Sequence, residues 1–74
     1  MKRYTAHAEQ RLKERGISKV DVEHACNHAY GSPAPGSTPG SIAIVGPLPG
    51  TGKRLKVVLN SSDPDLVITA YVLQ

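Results

Sequence analysis

The chain has 74 residues and a formal net charge of +3, from nine Lys and Arg against six Asp and Glu. This length makes one small domain, residues 1–74, with a modest core, and the charge favours anionic partners without being high enough to coat nucleic acid. A single cysteine, Cys26, excludes an internal disulfide and paired Cys-x-x-Cys zinc motifs. Because the N-terminus lacks the apolar stretch of a signal peptide and no run approaches a membrane span of roughly 18 residues, we expect a soluble domain with no membrane partner.

The first predicted element is a helix over residues 6–15. Thr5 is placed to cap its N-terminus, because a threonine hydroxyl can accept a hydrogen bond from a backbone N–H of the first turn. Gly16 is placed to end it in the left-handed conformation. The sequence therefore predicts both ends of this helix.

A second helix is predicted to begin after Ser18, where Ser18-x-x-Asp21 resembles a capping box with a shortened acid. Gly31 is its predicted end. Apolar residues recur at helical spacing between these points, at Val22, Ala25, Cys26 and Ala29. Cys26 belongs to this stripe, so we expect it to be a core thiol rather than a nucleophile.

Residues 31–40, "GSPAPGSTPG", contain three prolines and three glycines and are predicted to be an irregular loop. The β-branched runs that follow, 41–45, 53–60 and 66–73, are separated by turn-rich segments, as in an antiparallel meander. The predicted fold is α+β, with two N-terminal helices packed on a three- to four-stranded antiparallel sheet.

Alternation along the last two strands predicts which side chains share a face. In residues 53–60, Leu55, Val57 and Leu59 alternate with Arg54, Lys56 and Val58. In residues 66–73, Ile68, Ala70 and Val72 alternate with Val67, Thr69, Tyr71 and Leu73. If helices cover the purely aliphatic faces and the strands pair as a hairpin, Lys56, Thr69 and Tyr71 share an exposed or half-exposed surface.

Three basic side chains, His7, Arg11 and Arg15, lie four residues apart in the first helix and form a stripe about 12 Å long. One interpretation is a solvated face in which Glu14 pairs with Arg11. The other is one wall of a phosphate-handling site. His7 falls in the first turn, where the helix dipole disfavours a protonated imidazole, and a neutral imidazole can act as a general base. Alternatively, His7 is partly buried and fixes the chain entering the helix.

Two further motifs are weaker. "GPLPGTGKRL" resembles a phosphate-binding loop, but Pro47 stands at the first glycine position and Arg54 replaces the hydroxyl residue, so a hairpin turn is predicted. His24 and His28, at positions i and i+4, could chelate a metal from one helix face, but no third ligand is evident. We therefore expect a surface pair there, and neither a metal nor a cofactor in the protein.

"HAEQRLKERGISKVDVEHA", "GKRLKVVLN" and "LVITAYVL" together resemble domain-of-unknown-function family 4258. Its signature is His-Ala-x-x-Arg-x-x-x-Arg-Gly-Ile, a lysine-bearing strand and a final strand similar to Thr-x-Tyr. The family is associated with the barnase-like, colicin tRNase-like and RelE-like (BECR) endoribonuclease fold group, and several members are C-terminal toxin modules of bacterial competition systems. The long 31–40 loop departs from this pattern and bears on specificity or on a partner surface.

The resemblance implies a metal-independent ribonuclease toxin that cleaves RNA, with tRNA as one candidate substrate. It would act in the cytoplasm, either as a free protein or delivered as the C-terminal module of a secreted effector. Its implied partners are the RNA substrate and a cognate immunity protein or antitoxin.

The same resemblance implies roles for individual residues. His7 would be the base or acid, Arg11 and Lys56 would hold the phosphate, Thr69 would donate a hydrogen bond to it, and Tyr71 would stack on or orient the nucleotide. Further RNA contacts would come from Arg15, Lys53 and Arg54. Arg15 could instead serve structure, by tying the helix turn to the sheet.

Two other classes of function are weighed against this one. The first is a non-catalytic basic module that binds a protein or a structured anion through the same stripe. The second is a DNA-binding helix-turn-helix, which the second helix disfavours because "SKVDVEHACNHA" has few basic residues at its start.

Overall fold

The computed structural model describes residues 2–73. Its elements are β1 (Arg3–Tyr4), α1 (Ala6–Arg15), α2 (Lys19–Asn27), β2 (Ala34–Pro35), β3 (Ser41–Pro47), β4 (Arg54–Asn60) and β5 (Leu66–Leu73). The five strands form one sheet in the order β1-β5-β4-β3-β2. The fold is α+β with a mixed sheet, and β3, β4 and β5 form the predicted antiparallel meander.

The prediction of a three- to four-stranded antiparallel sheet was wrong in strand number, because the two short strands β1 and β2 bring the total to five, and wrong in direction at β1. This two-residue strand pairs parallel with β5, with Arg3 opposite Leu66 and Tyr4 opposite Val67. The backbone N–H of Thr5 donates to the Val67 carbonyl at 3.1 Å and so continues the ladder. Two residues carry no periodicity of their own, and it is the pairing partner on β5 that makes them a strand.

The prediction that residues 31–40 contain no regular structure was wrong at β2. Ala34 pairs with Ala43 of β3, and the Gly36 N–H donates to the Ser41 carbonyl at 2.9 Å. Proline is tolerated in β2 because β2 is an edge strand, where a missing N–H need not face a neighbouring strand.

Helix α1 has the predicted ends. The Thr5 hydroxyl oxygen accepts a hydrogen bond from the Ala8 N–H at 2.9 Å. At the other end, Gly16 adopts φ 66° and ψ 30°, in the left-handed region that glycine adopts without the strain a side chain would cause. Both predicted ends of this helix are therefore confirmed.

Helix α2 begins as predicted and ends early. The Asp21 N–H donates to the Ser18 hydroxyl at 3.0 Å, and the Asp21 carboxylate accepts from the Ser18 N–H at 3.4 Å. The helix ends at Asn27, so Ala29 lies outside it and the predicted end at Gly31 was wrong. The Tyr30 N–H donates to the Val45 carbonyl of β3 at 2.7 Å, and this long-range bond draws the chain onto the sheet before another turn can form.

Both helices pack on one face of the sheet. The core cluster consists of Ala8, Leu12, Ile17, Val22, Ala25, Leu55, Val57, Leu59, Val67 and Ala70. Helix α2 approaches β3 closely, because a Cβ on Gly46 would lie 2.1 Å from the Ala25 carbonyl oxygen. Cys26 is partly buried against the cluster, and burial raises the pKa of its thiol, which disfavours the reactive thiolate.

The predicted face of one β5 residue, Val67, was wrong because the strand contains a β-bulge. Val58 pairs with Thr69 but Leu59 pairs with Val67, which leaves Ile68 as the extra residue. Strict alternation would place Val67 on the same face as Thr69, whereas Val67 is buried in the core. The bulge shifts the alternation by one residue, so Val67 and Ala70 both face the helices.

Tyr4 joins β1 to the core at the start of α2. Its ring packs against the core cluster, and its hydroxyl donates to the Lys19 carbonyl at 3.4 Å. The Lys19 ammonium nitrogen lies 4.9 Å from the ring centroid. Burial, with smaller contributions from the charges of Glu23 and Cys26, raises the pKa of Tyr4 to about 12.

We therefore expect the folded protein to keep the Tyr4 proton in a pH range where the unfolded chain releases it, from an ordinary pKa of about 10. Its contribution to stability is complete below that value and is lost as the pH rises towards about 12. An ultraviolet absorbance titration of tyrosinate should show a last step that Tyr4→Phe removes and Tyr30→Phe keeps. Loss of an earlier step in Tyr4→Phe, with the last step kept, would contradict this assignment.

Candidate nucleic-acid interface

The sheet face opposite the helices carries the predicted basic and polar side chains. Lys56 pairs with Tyr71 and Val45, and Val58 pairs with Thr69. This outer face consists of Ala43, Val45, Pro47, Arg54, Lys56, Val58, Thr69, Tyr71 and Leu73. As expected from alternation, Lys56, Thr69 and Tyr71 lie on one face, where they form a half-buried surface.

The long loop covers one end of the outer face. The Ser41 side chain is buried there, and its hydroxyl donates to the Thr38 carbonyl at 2.6 Å. The opposite end, where Lys56 and Tyr71 lie, is flanked by the exposed Arg54. The loop therefore leaves the basic end of this face accessible.

Four residues meet at the free edge of β5, and we call them the cationic cluster: Arg15, Lys56, Thr69 and Tyr71. The Arg15 guanidinium donates to the Ala70 carbonyl at 2.9 Å and to the Thr69 hydroxyl at 3.3 Å. Its Cζ lies 5.9 Å from the Tyr71 ring centroid, and the Lys56 Nζ lies 5.7 Å from the same centroid. One aromatic ring thus lies between two cations.

Arg15 reaches the cluster because of where α1 ends. Helix α1 packs along β5 on the inner face, and β1 pairs with β5 only as far as Val67. Beyond Val67 the edge of β5 is free of β1, and Arg15, the last residue of α1, extends over it to Thr69. The hypothesis that Arg15 ties the helix to the sheet agrees with this contact, but the same contact also adds a second cation beside Tyr71, which sequence reasoning missed.

The two cations of the cluster have no carboxylate partner within residues 2–73. The ion pairs there are Lys2–Asp65, Arg3–Asp63, Arg11–Glu14 and Lys19–Glu9. The ring face of Tyr71 attracts both Arg15 and Lys56 through its quadrupole, and this attraction opposes their mutual repulsion. The charge of the cluster is therefore available to an external anion.

His7 and Arg11 lie on the same flank of α1 as Arg15, because the helix is regular between them. Arg11 pairs with the Glu14 carboxylate at 2.8 Å, and the Arg11 and Gln10 hydrogen bonds lower the pKa of Glu14. His7 is exposed, and no hydrogen bond or ion pair of the described chain joins it to the cationic cluster. The Cα atoms of His7 and Arg15 are separated by about 12 Å along the helix axis.

Lys53 and Arg54 lie at the hairpin between β3 and β4. The Lys53 N–H donates to the Thr51 hydroxyl, and its carbonyl accepts from the Leu48 N–H, both at 3.0 Å. Gly50 and Gly52 have φ values of 75° and 70°. This turn leads from strand to strand rather than into a helix, so the hairpin interpretation of "GPLPGTGKRL" is confirmed.

The described residues contain no group of three or more His, Cys, Asp or Glu side chains that could hold a metal ion. Over the same part of the chain, neither helix is long and apolar enough to cross a membrane.

The fold is a small α+β domain with a basic, partly apolar outer sheet face. The sequence model of a family described as a domain of unknown function, DUF4258, matches residues 4–72, and the chain belongs to this family. Searches of curated proteins and of solved structures gave no match.

Replacing Arg15 tests its role in joining helix and sheet. Arg15→Gln removes the charged donor to Ala70 and Thr69, and we expect the free energy of unfolding to fall by about 1 kcal/mol. Lys13→Gln is the matched control, because it removes the same charge from an exposed position of α1 and should change stability by less than about 0.5 kcal/mol. Urea denaturation measures both variants. Equal losses would show that Arg15 acts only through net charge.

Proposed function

We propose that this protein binds single-stranded RNA through the cationic cluster and cleaves it by metal-independent attack of a 2'-hydroxyl on the adjacent phosphate. The observation that carries the proposal is the position of Tyr71 between Arg15 and Lys56, at 5.9 and 5.7 Å, with neither cation neutralised by a carboxylate of residues 2–73.

The cluster suits one unstacked nucleotide. Arg15 and Lys56 can contact phosphate oxygens, and the Thr69 hydroxyl can donate to the same group. Tyr71 offers a ring on which a base can stack. Because Tyr71 is the one aromatic residue of the outer face, a single base stacks there, rather than the two or three bases of an extended platform. A base must leave its helix to stack in this way, so the substrate is single-stranded at this point.

His7 supplies the acid–base chemistry in this proposal. A strand bound at the cluster and directed along the flank of α1 passes Arg11 and reaches His7. There the imidazole takes the 2'-hydroxyl proton as the oxygen attacks phosphorus. The bond to the 5'-oxygen breaks, that oxygen takes a proton from the imidazolium or from water, and a 2',3'-cyclic phosphate remains. Arg11, one turn from His7, stabilises the charge that develops on the reacting phosphate, while the cluster cations hold a neighbouring nucleotide of the same strand.

The family resemblance supports the same class of activity. The DUF4258 match covers the segments that resemble this family, including His7, Lys56 and Tyr71, and the association of the family with the BECR endoribonuclease group implies the activity proposed here. In such a system the cytoplasm is the site of action and a cognate immunity protein or antitoxin is the expected partner. The exposed basic residues Lys53 and Arg54 extend the cationic surface beyond the cluster and would contact neighbouring phosphates.

One observation favours a non-catalytic alternative. The cluster itself contains no imidazole or carboxylate, and His7 makes no hydrogen bond to any of its members within the described chain. A module that only binds an anionic ligand through its basic surface requires the cluster and not His7. The two functions therefore differ in what a substitution of His7 does.

The test is incubation of the purified chain with tRNA and a labelled single-stranded RNA in EDTA. We expect discrete fragments that end in cyclic phosphates. His7→Gln should abolish cleavage while leaving RNA affinity unchanged. Intact RNA after long incubation, together with retained binding, would overturn the nuclease and favour the binding module.

Binding is tested separately through its salt dependence. Lys56→Gln removes one phosphate contact, and the slope of log affinity against log salt concentration should fall by about 0.7 for a single strand. Tyr71→Leu should weaken binding by about 1–3 kcal/mol, with little change in this slope, because stacking is lost and the charge is kept. Lys13→Gln, on an exposed position of α1 outside the cluster, is the charge-matched control and should retain its affinity and slope.

A further inference from the structure

We propose that His24 and His28 form a two-nitrogen chelate for a divalent transition-metal ion of the Zn²⁺ class at the C-terminal end of α2. This site is separate from the cationic cluster and independent of the proposed function. Imidazole nitrogen is a preferred ligand of zinc and of the neighbouring ions nickel and copper.

The backbone holds the two rings close together. His24 lies in the last turn of α2 and His28 is its C-terminal cap, with the His28 N–H donating to the His24 carbonyl at 3.0 Å. The ring centroids are 4.4 Å apart, with a 37° angle between the planes. Two nitrogens bound to one tetrahedral zinc, at about 2.0–2.1 Å each, lie roughly 3.3 Å apart. Rings already this close can reach that separation by side-chain rotation alone.

The pair lies on a flank of α2 that other elements leave free. Val22 and Ala25 face the core, and the Lys19 pair with Glu9 identifies the flank that faces α1. By helical periodicity, His24 and His28 lie on the remaining flank, where His24 is half-buried and His28 is exposed. An ion can reach this flank from solvent without displacing any core side chain.

The end of the helix also favours a cation. The unpaired carbonyls of the last turn carry partial negative charge, which stabilises positive charge near the C-terminus. No third His, Cys, Asp or Glu of residues 2–73 completes a ligand set here, so water fills the remaining positions. The nearest acid on the same stripe, Asp21, lies at the opposite end of the helix, where its carboxylate accepts a hydrogen bond from the Ser18 N–H.

The experiment is calorimetric titration of the full chain with ZnCl₂. We expect one ion per chain, and an affinity that falls by a factor of about 10² when either His24→Gln or His28→Gln removes half of the chelate. His7→Gln is the matched control, because it removes an imidazole from the other helix, and it should bind zinc as the parent does. Nickel chloride in place of zinc should give the same ranking of variants.

Thermal unfolding supplies a second measurement on the same proteins. Zinc bound to the folded chain should raise the melting temperature of the parent and of His7→Gln but not of the two α2 variants. Circular dichroism without metal confirms that each variant is folded. Equal zinc affinity in the parent and both α2 variants, or loss of affinity in His7→Gln, would overturn the proposal.

Discussion

The packing of both helices against one face of the β3–β4–β5 meander is the constraint on which the rest of the structure depends. It requires three consecutive inward side chains on β4, Leu55, Val57 and Leu59, all fully buried. It also requires that Gly46 carry no side chain, since α2 lies against its backbone. Burying each large aliphatic side chain contributes about 1.5–3 kcal/mol, and a chain this short offers few of them.

This one-sided packing leaves the opposite face for function. Both helices cover the inner face, so the outer face is formed by the side chains that alternate with the core residues along each strand. On β4 these are Arg54, Lys56 and Val58. The sheet pairing then aligns Lys56 with Tyr71. The same alternation that builds the core therefore also assembles half of the candidate binding surface.

Arg15 connects the two faces. It is the last residue of a helix that packs inside, yet its guanidinium bonds to the free edge of β5 and lies beside a ring on the outer face. Its position requires α1 to end where Gly16 ends it and β1 to stop pairing at Val67. Arg15 therefore has both a structural and a ligand-binding role in this account, and a substitution there tests both.

The sequence predicted those structural features that are determined by residues within the same segment. The caps at Thr5 and Gly16 predicted α1, and alternation predicted the buried face of β4. The early end of α2 could not be predicted, because it follows from a hydrogen bond between Tyr30 and Val45, fifteen residues apart. The bulge at Ile68 and the two-residue strands likewise depend on how strands pair, which the pattern within each segment does not record.

In the candidate site, too, the sequence predicted the arrangement within each element but not the contact between elements. The common face of Lys56, Thr69 and Tyr71 followed from period-two alternation once the two strands were taken to pair as a hairpin, and the basic stripe of α1 followed from helical periodicity. Neither pattern could show that Arg15, rather than His7 or Arg11, is the stripe residue that contacts the strand residues. That outcome depends on the position of α1 along β5, which is a tertiary property.

The most direct test of the account is an NMR titration of the isotope-labelled chain with a short single-stranded RNA. The account predicts amide shift changes concentrated at residues 54–58 and 69–71 and along the α1 flank at His7, Arg11 and Arg15, with residues 19–27 of α2 unaffected. Changes concentrated on α2, or no changes at saturating RNA, would contradict the claim that the outer face is the binding surface.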